Sequence, residues 1–248
     1  MDIWKYYDVT HKEHLVCNPI SIEKLNELIT LLALKSGSKV LEIATGKGEF
    51  LIRLIENYNV SAIGVDISPY HLGDAKRKAK ERVPNADLTL IEMDGVNYKS
   101  ETPESFDLTC CLGASWIYNG YEDTLKYLMS QTKRNGFVVV GEPFWNSKPP
   151  KEYFDLSEIR YEMFSNHAGN VQTGECLGLK LLYTTVSTHD EWDRYLGLQW
   201  YAMDKYAQLY PEDLDLSEFL VKLNKEKKLY LKWEREAFGW AIYVFRKM

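Results

Sequence analysis

The stretch Val40-Leu41-Glu42-Ile43-Ala44-Thr45-Gly46-Lys47-Gly48-Glu49-Phe50 constrains this chain more than any other. It reads as a buried apolar strand, a turn of small residues and the first turn of a helix. Minimal side chains let a ligand approach the main chain closely. The helix that follows aims unpaired amide hydrogens and a partial positive charge at the same point. A dinucleotide fingerprint needs glycine at the first, third and sixth positions of such a turn. Here those positions hold Ala44, Gly46 and Glu49, and a carboxylate is badly placed to receive a pyrophosphate. Alanine at position 44 is tolerable if the residue keeps a negative φ.

The strands that follow repeat the pattern. Ser61 to Asp66 is a second buried strand ending in a carboxylate, and Asp66 can accept two hydrogen bonds from a vicinal diol. Ser68 with Pro69 behind it opens a helix. Its Lys76, Arg77, Lys78, Lys80 and Arg82 read as a solvated face. Asp87 to Met93 is a third strand, after which Asp94-Gly95 offers both turn chemistry and an acceptor for an exocyclic N–H. Phe106 to Leu112 is a fourth strand. It leads into Gly113-Ala114-Ser115-Trp116-Ile117-Tyr118, which adds aromatic surface and a phenol. A helix from Glu122 to Arg134 and a turn at Asn135-Gly136 precede a fifth strand, Phe137 to Gly141. Pro143 is expected to end its ladder and leave Glu142 at the rim.

On either side of this core the sequence is less regular. Residues 1–20 show no clean period; they contain His11, His14, Asn18 and Pro19. A helix is predicted from Ile22 to Lys35. After Lys148-Pro149-Pro150-Lys151, helices are predicted over Asp155–Asn166 and His189–Tyr210, with a glycine-punctuated stretch over Gly169–Gly178. Strands are predicted over Leu179–Thr188 and Trp240–Phe245, and mostly helix over Asp213–Phe238. Strands alternating with helices make this an α/β chain with a doubly wound sheet.

Composition excludes several classes. The chain has 248 residues and a formal net charge of −6, which argues against a nucleic-acid backbone as main partner. No apolar run reaches the roughly 20 residues that span a bilayer, and the N-terminus from Met1 to Tyr7 has no signal-peptide core, so a cytoplasmic setting with no membrane partner is expected. Cys17, Cys110, Cys111 and Cys176 lack metal or disulfide spacing, and no metal is expected.

The pattern acidic-x-small-x-Gly-x-Gly, from Glu42 to Gly48, resembles the first motif of class I S-adenosylmethionine-dependent methyltransferases. The likeness is strongest from Ser36 to Trp145. Glu13-His14, Asn18-Pro19, Gly113 to Ile117, Gly141 to Trp145, Glu191 to Tyr195 and Phe238 to Ala241 look like a group of uncharacterised bacterial small-molecule methyltransferases. The resemblance implies a Rossmann-like sheet of seven strands, mostly parallel with the last antiparallel. It also implies one methyltransferase domain, with residues 1–36 as lid and helix, 37–147 as cofactor-binding core and 148–248 as the rest of the sheet with a helical substrate cover. S-adenosylmethionine is then the expected cofactor. Its contacts would be Glu42, Ala44, Thr45, Gly46, Gly48, Asp66, Ile67, Asp94, Gly95, Leu112 and Gly113, with Asp66 on the ribose and Asp94 on the adenine amine. A small-molecule acceptor would lie among Trp116, Trp145, Trp192 and Tyr195, with His14, Tyr118 and Glu142 as candidate acid–base groups. The family's Asn/Asp-Pro-Pro-aromatic motif for planar amino nitrogens is missing after the fourth strand. Two other functions fit the same pattern: a regulatory protein that keeps the cofactor pocket, and a nicotinamide-dependent oxidoreductase. Acceptor identity and oligomeric state are not written in the sequence.

Overall fold

A computed structural model describes residues 1–248. Its centre is a seven-stranded sheet. In chain order the elements begin with α1 (Ile3–Thr10), α2 (Ile22–Leu32), β1 (Lys39–Ile43), α3 (Glu49–Tyr58), β2 (Ser61–Asp66), α4 (Pro69–Arg82), β3 (Leu88–Glu92) and β4 (Phe106–Leu112). They continue with α5 (Tyr121–Gln131), β5 (Thr132–Trp145), α6 (Lys151–Leu156), α7 (His167–Cys176), β6 (Leu179–Val186), α8 (His189–Leu209), α9 (Leu216–Leu229) and β7 (Phe238–Lys247). The strand order is β3-β2-β1-β4-β5-β7-β6. The pairs among β3, β2, β1, β4 and β5 are parallel, whereas β7 runs antiparallel to both β5 and β6. The expected architecture, with its antiparallel last strand, is therefore the one observed.

Alternation along the strands divides the core into two layers. Val40, Leu108, Cys110, Val139 and Ile242 face α2 and α3. Leu41, Ile43, Cys111, Val138, Val140 and Tyr243 face the other way, toward α5. The adjacent Cys110 and Cys111 thus point to opposite faces and both are fully buried, as a period of two requires.

Several boundaries differ from expectation, each for a physical reason. Pro143 does not stop β5, which pairs with β7 as far as Trp145. Beyond Gly141 strand β4 has left the sheet, so the missing N–H faces no ladder. The Asn135-Gly136 turn lies inside β5 as an irregularity between the pairs Phe106–Thr132 and Leu108–Phe137, with Asn135 in the left-handed region. The glycine-punctuated stretch is mostly the helix α7, capped by Asn166. Its Gly174 is needed because a Cβ there would lie 2.6 Å from the Phe245 ring, so α7 can sit this close to the sheet only without a side chain. Residues 155–166 hold the end of α6 and a short 3-10 turn at Tyr161–Met163 rather than one helix. The aperiodic N-terminus contains α1, capped by Asp2 and packed through Tyr6 and Val9 onto Met203 of α8 and Phe219 of α9.

Candidate functional site

The carboxyl ends of β1, β2, β3 and β4 open into one cleft of about 630 Å³, a volume in the range of small-molecule sites. Glu42, Ala44, Thr45, Gly46, Asp66, Ile67, Asp94, Gly95, Leu112 and Gly113 all line it. Gly48 does not; it is the left-handed N-cap of α3 and has no side-chain cap over the helix amides. Ala44 departs from expectation: its φ is +56°, in a turn where Gly46 and Gly48 are also left-handed. An alanine in that region costs about 1–2 kcal/mol, held here by the surrounding turn.

Two of the acids at strand tips are positioned by backbone amides and the third by a hydroxyl. Asp66 accepts from Gly46 N at 2.7 Å and from Ser68 N at 2.8 Å, so one carboxylate ties the β1 turn to the start of α4. Asp94 accepts from Val96 N at 3.2 Å and caps a short 3-10 turn. Glu42 is buried and accepts from the Thr45 hydroxyl at 2.6 Å. Burial pushes its carboxyl up to about 8, partly offset by that hydrogen bond. Glu49, also at the cleft wall, is held otherwise. Burial raises it, but hydrogen bonds from Lys78 and Arg82, at 2.9 and 2.8 Å, outweigh burial and keep it below the usual range. Lys78 is buried in this network, so the basic run of α4 is not simply a solvated face.

The cleft's roof comes from the ends of the chain. Trp4, Tyr7, His11, Cys17 and Asn18 line it from the N-terminal segment, and Trp192 and Tyr195 from α8. Lys47, buried in the glycine turn, donates to His11 O at 2.7 Å and pairs with Asp74 at 3.2 Å, fastening that segment to the floor. His11 Nδ1 lies 3.0 Å from Tyr7 O and must carry the hydrogen; its Nε2 then accepts from the Tyr195 hydroxyl at 2.8 Å. Burial, the first cause, and the neighbouring His14 keep His11 neutral. No local pattern in residues 1–20 distinguishes His11 from other polar residues; only the packing of α1 on α8 brings it to the cleft. His71, at the N-terminal turn of α4, also lines the cleft, and its buried Nε2 has no partner.

The remaining predicted residues divide. Trp116 stands at the mouth, 71% exposed. Trp145 lies away from the cleft, stacked on Tyr161 and packed on Phe238, with its indole N–H given to Tyr161 O at 2.9 Å. Tyr118 stacks on Tyr127 and donates to Gly95 O at 2.8 Å, which supports the Asp94 turn from below rather than reaching the cavity. His14 does not line the cleft; its Nε2 bonds Tyr195 O at 2.8 Å, and burial lowers it to about 4. Glu142 is buried outside the cleft lining, with one oxygen unpartnered; burial pushes it up to about 8 against a hydrogen bond with Ser115.

A sheet of this order, with its cleft at the parallel strand tips and a glycine turn after β1, defines the class I methyltransferase fold. Residues 40–136 match the family model described as a methyltransferase domain. The whole chain is 28% identical to the uncharacterised protein YjhP of Escherichia coli K12, over 98% of both chains. Two crystal structures of S-adenosylmethionine-dependent methyltransferases in complex with S-adenosylhomocysteine superpose along its full length. One, from Geobacter sulfurreducens, is 26% identical with a TM-score of 0.91 and 98% of each chain covered. The other, from Thiobacillus denitrificans, is 28% identical with a TM-score of 0.90 and all of each chain covered. Residues 40–136 thus match a methyltransferase domain, and the chain as a whole is similar along its length to S-adenosylmethionine-dependent methyltransferases. None of its helices is long and apolar enough to cross a membrane.

Proposed function

We propose that the protein transfers a methyl group from S-adenosylmethionine to a small-molecule acceptor held between the strand tips and the cover formed by residues 1–36 and α8. The observation that carries this reading is the convergence of Glu42, Asp66 and Asp94 on one cleft roofed by Trp192 and Tyr195. The residues present fit the cofactor. The left-handed turn at Ala44, Gly46 and Gly48 leaves the α3 amides without a side-chain cap beside the cavity. Asp66 keeps lone pairs for a ribose diol, Asp94 can accept from an adenine amine, and Glu42 is buried where it can answer a positive charge. The bound cofactor supplies a methyl already activated on a sulfonium.

The protein's task is then to orient the acceptor and exclude water. Holding reactants in line can lower a barrier by about 7–11 kcal/mol, so no strong base is demanded. The roof of Tyr7, His11, Trp192 and Tyr195 performs the exclusion. Where the acceptor carries a proton, neutral His11 at the cavity wall, reached through the Tyr195 hydroxyl that it accepts from, is the group able to receive it; Glu142, held up to about 8 by burial, already carries a proton at neutral pH, and His14 is turned onto Tyr195 O.

Calorimetric titration with S-adenosylmethionine, followed by incubation of the protein and radiolabelled cofactor with cell extract, tests the reading. Cofactor binding with label recovered in small molecules is expected. Binding without transfer would favour a regulatory protein, and binding of NADH instead would sink the assignment.

A further inference from the structure

A second cavity of about 270 Å³ lies behind the roof of the cleft. Tyr7, His11, Trp192 and Tyr195 line both spaces, so the two chambers share a wall four side chains wide. The rest of the second chamber comes from Tyr6 of α1, from Ile159, from further residues of α8, and from α9, the turn after it and the start of β7. That turn, Tyr230–Glu234, is a π-helical turn spliced onto α9, and it sets Tyr230 and Glu234 on the chamber's lining. Such turns recur at functional sites because they re-aim side chains at the cost of regular hydrogen bonding.

Of the two carboxylates that line this chamber, one is paired with a cation and the other is not. Glu226 accepts from Tyr6 Oη at 2.7 Å and from Lys222 Nζ at 2.5 Å. Lys222 also lies over the Tyr6 ring at 5.3 Å, and Lys227 over Trp200 at 4.7 Å. Glu234 has no cation: its one donor is the Tyr153 hydroxyl at 2.8 Å. Burial raises its carboxyl to about 7, the sign of an acid desolvated without a counter-charge. The rings beside it, Trp192, Tyr230 and Phe238, carry no resident cation either. Trp192 lies 6.3 Å from both Tyr230 and Phe238, with tilted planes, so the faces form a corner rather than a stack. Aromatic faces around an unpaired carboxylate attract an organic cation and reject its neutral isostere.

We propose that this second chamber binds the cationic group of the methyl acceptor, an ammonium-bearing small molecule, between Glu234 and the faces of Trp192, Tyr230 and Phe238. The assignment of this cation to the acceptor rests on the methyl-transfer reading; the cation site itself does not. An acceptor anchored there lies directly behind the wall of the cofactor cleft that Trp192 and Tyr195 help to form.

The test is calorimetric titration of the full chain with choline, a permanent cation, and with 3,3-dimethylbutan-1-ol, its uncharged isostere. Choline should bind at least about tenfold more tightly. Glu234→Gln keeps an acceptor for Tyr153 and should abolish that preference while S-adenosylmethionine affinity stays within about twofold. Trp192→Leu should weaken choline as well, and the cofactor affinity kept by Glu234→Gln guards against misfolding of that variant. Equal binding of the two isosteres, or a preference that survives Glu234→Gln, overturns the proposal. Choline binding without cofactor binding would instead overturn the methyl-transfer reading and leave the cation site standing.

Discussion

The floor and the roof of the cleft are built in opposite ways. The floor is written in one run of chain: Glu42, the glycine turn, Asp66, Asp94 and Gly113 follow one another at the ends of successive parallel strands. Groups of the floor itself fix its acids, as Gly46 N and Ser68 N do for Asp66 and the Thr45 hydroxyl does for Glu42. The roof joins residues from the two ends of the sequence. Its central contact, His11 to Tyr195, spans 184 positions. Floors of this kind are specified by local turn chemistry. Roofs depend on how helices dock, and that docking can be altered without disturbing the floor.

Four substitutions separate the two regions, beginning with the largest effect. Asp66→Ala should reduce S-adenosylmethionine affinity about 100-fold or more, since charged hydrogen bonds contribute about 1.5–3 kcal/mol each and Asp66 also holds the Gly46 turn. Calorimetry reads this directly; an unchanged constant would remove Asp66 from the cofactor site.

Glu142→Gln addresses the layer beneath the floor. Glu142 titrates near 8 in the folded protein against an ordinary value of 4.5. The folded state therefore binds more protons than the unfolded state between those values. Its contribution is most favourable below pH 4.5 and is lost as pH rises toward 8. The variant should melt close to wild type at pH 5 and higher than wild type at pH 9. The gap should widen by about 5 °C, on the order of 2 kcal/mol at 2–4 °C per kcal/mol for a chain this size. A gap independent of pH would show that Glu142 is not a buried acid of raised pKa.

Tyr195→Phe tests the roof alone. It leaves His11 Nε2 without its donor, at a cost of about 1–3 kcal/mol. Stability should fall by that amount in chemical denaturation, while cofactor affinity changes less than about threefold. A loss of affinity as large as that of Asp66→Ala would make floor and roof a single unit.

The smallest effect should come from Ala44→Gly, which relieves a left-handed alanine and should stabilise by about 1 kcal/mol, read as a rise of about 2–4 °C in melting temperature. A fall would mean that the turn relies on the alanine methyl more than on its backbone freedom.

The doubly wound sheet and its order of acids were legible because each rests on short-range patterning. Buried parallel strands read as apolar runs, and a carboxylate followed by a helix start marks a strand tip. What stayed hidden followed from distance in the sequence. Tyr118 and Trp145 have the right chemistry for a pocket and sit shortly after β4 and at the end of β5. Yet Trp145 is drawn to Tyr161 and Phe238, and Tyr118 is spent on Gly95 O. Aromatic content near a rim cannot say which neighbour a ring will choose.

By itself, then, the sequence determined the parallel core, the turn at Ala44 to Gly48 and the acids at its strand ends, because hydrogen-bonding and turn propensities act over a handful of residues. Tertiary structure alone decided the left-handed φ of Ala44, the helix at His167–Cys176, the placement of His11 beside Tyr195, and the aromatic chamber around Glu234. Each of these depends on which surfaces meet when distant segments pack, and that is a property of the folded whole.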